Sequence, residues 1–275
     1  MSSLGFLGPT GTFTELAAKE YDSNIKDHIA YQDIKSLFES ASKGEVDKAI
    51  VPIENSIQGA VTLTLDLLVE MELKIIGETV IPISHSLLAK NGVSLDEVEN
   101  IISHPQALAQ CRGFLESNVK SYQTHISNST AEAIQKIQKL EEGWAAIGNS
   151  QAADHYELEV IADRIQDNKE NWTRFIILSK KESGIDGDHK TSIIFSKEED
   201  HPGGLYDILH EFAIKGINLT RIESRPAKRA LGDYIFFIDF EGHYEDDKVK
   251  AALDLVQYKT SWYKLLGSYP KAEIK

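Results

Sequence analysis

Cysteine is nearly missing from this chain. Cys111 is the only one in 275 residues, so no intramolecular disulfide can form and a zinc site built from cysteines is excluded. The thiol is expected to be a small buried hydrophobe. No apolar run reaches the ~20 residues of a membrane span. The N-terminus, Met1-Ser2-Ser3-Leu4-Gly5, enters an apolar strand without the basic start and apolar core of an export signal. A cytoplasmic location and no membrane partner are therefore expected. Basic charge is also scarce: 29 Lys and Arg stand against 43 Asp and Glu, for a net charge of −14. The cations are scattered, so nucleic acid lacks its electrostatic footprint and is not expected as a partner. An anionic small molecule remains allowed if local backbone donors and a few cations overcome the long-range repulsion, which salt screens within about 8–10 Å. No stretch is low in complexity, and 41% hydrophobic with 26% charged residues are globular proportions.

The length suits two compact units. Strands alternate with amphipathic helices in the first, the pattern of an α/β fold with a largely parallel sheet. Leu4 to Leu7 is a short apolar strand, and after the turn Gly8-Pro9-Thr10-Gly11, Thr12 and Glu15 have the spacing of a capping box. The unit recurs as a helix near Asp33 to Ala41, a strand Lys48 to Ile53, a helix near Thr62 to Met71 and a strand Lys74 to Ile83. Further on, Ile101 to Ser103 precedes Pro105 at a first helical position, Ser129 and Glu132 form another capping box, and Ala145 to Ile147 leads to a helix near Gln151. Between Lys180 and Lys190 the chain turns polar, glycine-bearing and aperiodic, which marks residues 181–189 as a linker. Beyond it, strand Thr191 to Phe195, a helix carrying Leu205 and Phe212, strands Ile217 to Ile222 and Tyr234 to Phe240, a helix carrying Val249 and Val256, and a last strand near Trp262 give βαββαβ, the ferredoxin-like order.

Three segments combine glycine turns, hydroxyls and charges just after a strand, where open α/β sheets present their ligand crevice. Gly8 to Glu15 reads as a capped helix start, or as a helix N-terminus offering N–H groups to an anion, and both can hold together. Glu54-Asn55-Ser56 is either a polar loop or a set of convergent donors and acceptors. In Asn171-Trp172-Thr173-Arg174-Phe175, Arg174 could bind a carboxylate by two parallel hydrogen bonds or stand in a surface salt bridge. His85 and His104 could titrate near neutrality, although a lone histidine is more often structural. No His, Asp and Glu grouping has metal-ligand spacing, so no metal is expected. Neither a Gly-x-Ser-x-Gly elbow nor a Gly-Lys-Ser/Thr phosphate loop occurs, which disfavours hydrolase and nucleotide chemistry.

Taken together, the segments Gly8 to Glu15, Val51-Pro-Ile-Glu-Asn-Ser56, Ser103 to Cys111, Ser129-Thr-Ala-Glu132 and Thr173-Arg-Phe175 resemble the prephenate dehydratase family, in the family's order and over nearly the whole chain. The Thr-Arg-Phe segment is similar to the family signature, with Thr173 at the position held essential. Residues 190–270 resemble the family's ACT domain, with Asn218 to Pro226 matching its phenylalanine-sensing segment. Two departures are visible: Ser84-His85 stands where many members have two histidines, and Gly204 stands where alanine is common. No chorismate mutase segment precedes the first strand, so a monofunctional chain is expected.

The resemblance implies a two-lobed, periplasmic-binding-protein-like α/β catalytic region over 1–180, with lobes of about 1–77 plus 173–179 and of 78–165, followed by the ferredoxin-like ACT domain at 190–270. It implies decarboxylating dehydration of prephenate to phenylpyruvate under feedback by phenylalanine, with arogenate dehydratase or a non-catalytic small-molecule binding protein as alternatives. Expelling hydroxide needs a proton, and the aromatising ring accepts the electrons of the lost carboxylate, so no cofactor is expected. The catalytic candidates are Thr173, Glu54, Asn55, Ser56 and His85, with Thr173 as donor to the leaving hydroxyl, or as one link of a chain ending at Glu54 or His85. Substrate contacts are expected from Thr10, Gly11, Thr12, Arg174, Phe175, Ser129 and Thr130. Effector contacts are expected from His201, Gly203, Gly204, Leu205, Asn218, Leu219, Glu223, Ser224, Arg225 and Pro226, between modules of a homodimer or homotetramer.

Overall fold

A computed structural model describes residues 2–182, 184, 187–197, 201–227 and 234–272. The first lobe comprises β1 (Ser3–Leu7), α1 (Phe13–Tyr21), β2 (Asp27–Tyr31), α2 (Ile34–Lys43), β3 (Lys48–Asn55), β4 (Gly59–Ala60), α3 (Thr62–Glu70) and β5 (Lys74–Pro82). Thr12 caps α1 by accepting from the Glu15 backbone N–H, as its spacing predicts, and Asp33 caps α2 by accepting from the Ser36 N–H. The second lobe holds β6 (Ser86–Lys90), β7 (Asn100–Ser103), α4 (Pro105–Gln110), α5 (Arg112–Asn118), β8 (Gln123–Ile126), α6 (Thr130–Ile137), β9 (Trp144–Gly148), α7 (Ala152–His155) and β10 (Leu158–Ala162). The chain then returns to the first lobe as β11 (Trp172–Ser179).

Both sheets are largely parallel, as expected, but each path holds one reversed strand. The first runs β2-β1-β3-β11-β5, with the returning β11 antiparallel to both of its neighbours. The second runs β10-β6-β9-β7-β8, and there β6 is the reversed strand. β6 and β11 are the strands the chain enters on crossing between lobes, and the two-residue β4 also runs antiparallel to β3. The first lobe, expected to end near residue 77, continues to Pro82 because β5 pairs with β11 through that residue. The crossings are therefore 83–85 and 163–171. They bond to each other: Ile83 N–H donates to Asn171 carbonyl at 2.7 Å and Ile165 N–H to His85 carbonyl at 2.9 Å.

The C-terminal module comprises β12 (His189–Ser196), α8 (Gly204–Ala213), β13 (Leu219–Pro226), β14 (Tyr234–Glu241), α9 (Asp247–Tyr258) and β15 (Trp262–Pro270), with sheet order β13-β14-β12-β15. This is the ferredoxin-like arrangement expected. One face of its sheet buries Ile193, Phe195, Ile238 and Phe240 under α8 and α9. The other face does not meet solvent: Ile194, Phe237, Leu266 and Tyr269 share a core with Leu65, Leu73, Ile75 and Ile176 of the first lobe. Gly267 permits the closest approach, since a Cβ there would lie 2.5 Å from the Ile75 carbonyl oxygen, and its φ of 141° disfavours a side chain in any case. Among the described residues no helix is long and apolar enough to cross a membrane.

Candidate active site

A cleft of about 310 Å³ opens between the lobes, at the small end of the range for small-molecule sites. The first lobe lines it with Phe13, Thr14, Pro52, Asn55, Gln58 and Val61, and the second with His104, Gln106, Ala107, Gln110, Asn128, Ser129 and Thr130. Ile83, His85 and Asn171 come from the crossings, and Thr173 and Phe175 from β11. No lysine or arginine is among these lining residues.

Thr173 is 8% exposed and sits at the inner end of β11. Its hydroxyl oxygen accepts from Asn55 Nδ2 at 2.9 Å, which leaves the hydroxyl proton free to be donated. The same amide nitrogen lies 2.8 Å from Asn171 Oδ1 and 3.1 Å from the Trp172 carbonyl. Asn55 Oδ1 accepts from the N–H groups of Ile57 and Gln58, both at 3.1 Å, so the carboxamide is fixed at both ends.

His85 is 4% exposed. Burial lowers its imidazole below the ordinary value of 6.5, and a hydrogen bond to Gln110 offsets this only in part. Its Nε2 lies 3.0 Å from Gln110 Oε1, which also accepts from Asn171 Nδ2 at 3.4 Å. That network assigns the proton to Nε2 and a lone pair to Nδ1, a buried atom with no partner. A neutral ring in this tautomer accepts protons and does not supply them.

Ser129 caps α6, its hydroxyl oxygen accepting from Glu132 N–H at 3.0 Å, so its own proton can reach into the cleft beside Thr130. The Glu132 carboxyl titrates at about 2, held down by Lys136, by Ser127 and by the Asn128 N–H. It remains charged at any ordinary pH.

Several expected site residues lie elsewhere. Thr10, Gly11 and Thr12 do not line the cleft: the Thr10 carbonyl accepts from Tyr156 of the second lobe at 2.7 Å, Gly11 N–H donates to the Glu15 carboxylate at 2.6 Å, and Thr12 donates to the Leu7 carbonyl at 3.0 Å. The turn is an inter-lobe contact, and the N–H of Gly11 is already taken by the Glu15 carboxylate. Glu54 faces the C-terminal module, 3.1 Å from Arg221 Nε. Ser56 accepts from Trp172 N–H at 2.9 Å and donates to the Glu170 carbonyl at 3.4 Å, pinning β3 to the second crossing outside the cleft. Arg174 also points at the module, bonding Glu78 and Asp239 at 2.6 Å each and the Tyr269 hydroxyl at 2.9 Å. The cleft also brings together the amides Gln58, Gln106, Gln110, Asn128 and Asn171, none of them a candidate from the sequence, and His104, whose Nδ1 accepts from Gln106 N–H at 3.3 Å. Among the described residues no group of three His, Cys, Asp or Glu side chains is placed to hold a metal ion.

The effector candidates fall on two elements. His201 and Gly203 are exposed, and Gly203 caps α8 with no side-chain hydrogen bond. Gly204 is buried, and Leu205 and Leu219 pack against the module core. Asn218 leads into β13, an edge strand on which Glu223 and Arg225 are half-buried while Ser224 and Pro226 are exposed. Arg225 is engaged by Asp66 of α3 at 3.1 Å.

Two α/β lobes closing on a small cleft, with a ferredoxin-like module packed on one of them, define a small-molecule enzyme scaffold carrying a regulatory unit. Residues 4–183 match the family model described as prephenate dehydratase, and residues 191–254 match that of the ACT domain. A bifunctional chorismate mutase/prephenate dehydratase of Aquifex aeolicus is 43% identical over 98% of this chain and 74% of its own length. The prephenate dehydratase of Methanocaldococcus jannaschii is 41% identical over 95% of this chain and 96% of its own. The crystal structure of prephenate dehydratase from Arthrobacter aurescens in complex with L-Phe superposes with a TM-score of 0.89 at 38% identity, covering 98% of this chain and 90% of that one. The chain belongs to the prephenate dehydratase family.

Proposed function

We propose that this protein converts prephenate to phenylpyruvate in phenylalanine biosynthesis, and that phenylalanine restrains it through the ACT module. The observation that carries the assignment is the Thr173 hydroxyl, whose oxygen is engaged by the Asn55 amide and whose proton is free in an inter-lobe cleft. Prephenate enters as a dianion. The bond from the ring to its carboxylate breaks, that electron pair aromatises the ring, and the ring hydroxyl departs with one proton as water, leaving carbon dioxide and the phenylpyruvate anion. The proton is delivered at Thr173 Oγ1. As a weak acid, the hydroxyl acts as the last link of a hydrogen-bond chain within the cleft. Glu54 is turned away, and neutral His85 fits an orienting role through Gln110 and Asn171.

The two carboxylates meet hydroxyls, amides and the first turn of α6 rather than a guanidinium. The N–H groups of a helix's first turn have no intrahelical acceptor and carry a partial positive charge. In a water-poor cleft such donors act strongly on an anion without burying an unpaired cation when the site is empty. Phe13, Val61, Ile83 and Phe175 complete the lining with an apolar surface suited to the ring.

Phenylalanine is assigned to the start of α8, whose N-cap makes no side-chain hydrogen bond, together with β13 of the same or a second copy. Pairing of two modules in a homodimer or homotetramer would cover that sheet edge. Such an enzyme would work in the cytoplasm. The test is direct: purified protein is given prephenate, and phenylpyruvate is followed with and without phenylalanine, with arogenate as a second substrate. Phenylpyruvate formation that phenylalanine suppresses is expected. Binding of prephenate without product would reduce the protein to a receptor, and faster turnover of arogenate would make it an arogenate dehydratase.

A further inference from the structure

A buried charge network lies on the far side of the strands that build the cleft. Thr173 pairs with Asn55 and Arg174 with Glu54 across β11 and β3. Successive side chains of a strand face opposite sides of the sheet. The first pair therefore looks into the cleft and the second into the ACT module. Arg174 has all three guanidinium nitrogens engaged: Nε with Glu78 at 2.6 Å, Nη1 with Asp239 at 2.6 Å and Nη2 with the Tyr269 hydroxyl at 2.9 Å. Glu78 also takes Lys190 of the module at 2.7 and 3.0 Å, and Asp239 takes the Ser192 hydroxyl at 2.6 Å. The side chains of Glu78 and Asp239 are 1% and 3% exposed.

Adhesion alone does not explain this. The surface around it is apolar, with Phe237 and Leu266 packed on Ile75 and Ile176, and a buried ion pair adds little to stability because desolvation offsets its attraction. What a rigid planar fork with three fixed partners does add is geometry.

We propose that Arg174 is a positioning residue for Thr173: it ties β11 to β14 and β15 of the ACT module, so that the ligand state of the module sets where the neighbouring hydroxyl stands in the cleft. The proposal rests on the dehydratase reading for what the cleft does and on phenylalanine as the module's ligand. Asp239 and Tyr269 belong to the module, do not line the cleft and meet Arg174 and Ser192, which makes them the handles.

In full-length protein, Asp239→Asn removes the charge and Tyr269→Phe removes only a hydroxyl. Asp239→Asn is expected to lower kcat by about 5-fold or more, to leave KM within about 3-fold, and to erase the effect of phenylalanine on kcat while equilibrium dialysis still finds phenylalanine bound. Tyr269→Phe should move all three readouts the same way by less, and it decides alone if Asp239→Asn does not fold. Deuterium exchange over residues 172–179 should respond to phenylalanine in the parent and not in Asp239→Asn. Parent kcat and parent inhibition in a variant that merely melts earlier would assign the network to adhesion and overturn the proposal. If the parent makes no phenylpyruvate, the functional reading falls on its own and exchange decides: a silent β11 in the parent, or a response that survives in the variant, overturns the joint.

Discussion

The two faces of the β3–β11 pair differ sharply. On the cleft side, Asn55, Thr173 and Phe175 meet amides, hydroxyls and two histidines, with no lysine or arginine in the lining. On the module side, Glu54 and Arg174 meet Arg221, Glu78, Lys190 and Asp239, nearly all of them buried. An anion therefore finds its formal counter-charges where it cannot go. The cation that stands beside the catalytic candidate in sequence serves the joint between domains, and the substrate is left to dipoles. The electrostatics fit the division. Asp239 is opposed by burial, yet Arg174 and Arg221 hold its carboxyl below the usual range; Arg174 is also opposed by burial, and Asp239, Tyr269 and Glu78 hold it charged.

The strongest test of the cleft side is Thr173→Ala. Asn55 Nδ2 keeps Asn171 Oδ1 and the Trp172 carbonyl as acceptors, so the fold should survive. Turnover of prephenate should fall by about 10²-fold or more, the contribution of a lost proton donor, with KM little changed. Activity within a few-fold of the parent would remove Thr173 from the chemistry and dissolve the contrast between the faces.

Arg174→Lys tests the other side. A carboxylate anchor in the cleft, as the Thr-Arg-Phe motif first suggests, would raise KM on losing its paired hydrogen bonds. The observed geometry predicts the opposite split: kcat falls by about 10-fold, equivalent to about 1.4 kcal/mol in the barrier, and KM stays within about 3-fold. A raised KM with kcat intact would bring the guanidinium back to the substrate.

That reversal marks how far the sequence was legible. Alternation pointed to the α/β class and the βαββαβ order to the module, the two-lobed plan came only with the family resemblance, and the caps at Thr12 and Ser129 are where their spacing put them. The edge strands β2 and β8, Asp-His-Ile-Ala-Tyr and Gln-Thr-His-Ile, escaped because half-polar edges carry little apolar signal, and β6 because a short buried run has no readable period. In the site, Thr173 and Asn55 were found, yet Arg174 and Glu54 were assigned to the cleft with them. A period of two forbids neighbours on a strand from facing one way, so this part of the error was visible in the residues themselves. Gln58, Gln110 and Asn171 were not, because an amide in a loop or at a helix end has no pattern until folding brings it to others. The partners of Arg174 were equally out of reach, since Asp239 lies 65 residues away in another domain.

The smallest expected effect separates the faces by pH. For His85 the sign follows from its lowered value: the native ring stays neutral below 6.5 while the unfolded ring binds a proton, so the unfolded state carries more protons and stability falls as pH drops below about 6.5. Each unit of that shift is worth about 1.4 kcal/mol at most. Asp239 is also lowered, but from 3.8, so its contribution is present above that value and disappears only as pH falls through the native carboxyl's lower one. Acid should therefore reach the cleft first. Denaturant unfolding between pH 7 and 5 should show a shallow loss of stability that His85→Gln removes, since glutamine does not titrate, and that Asp239→Asn leaves in place. The loss below pH 4 should behave the other way, reduced in Asp239→Asn and retained in His85→Gln. A slope between pH 7 and 5 that survives in His85→Gln would mean that the charge-poor side of the sheet is not what responds to mild acid, and the buried ion network would have to account for both windows.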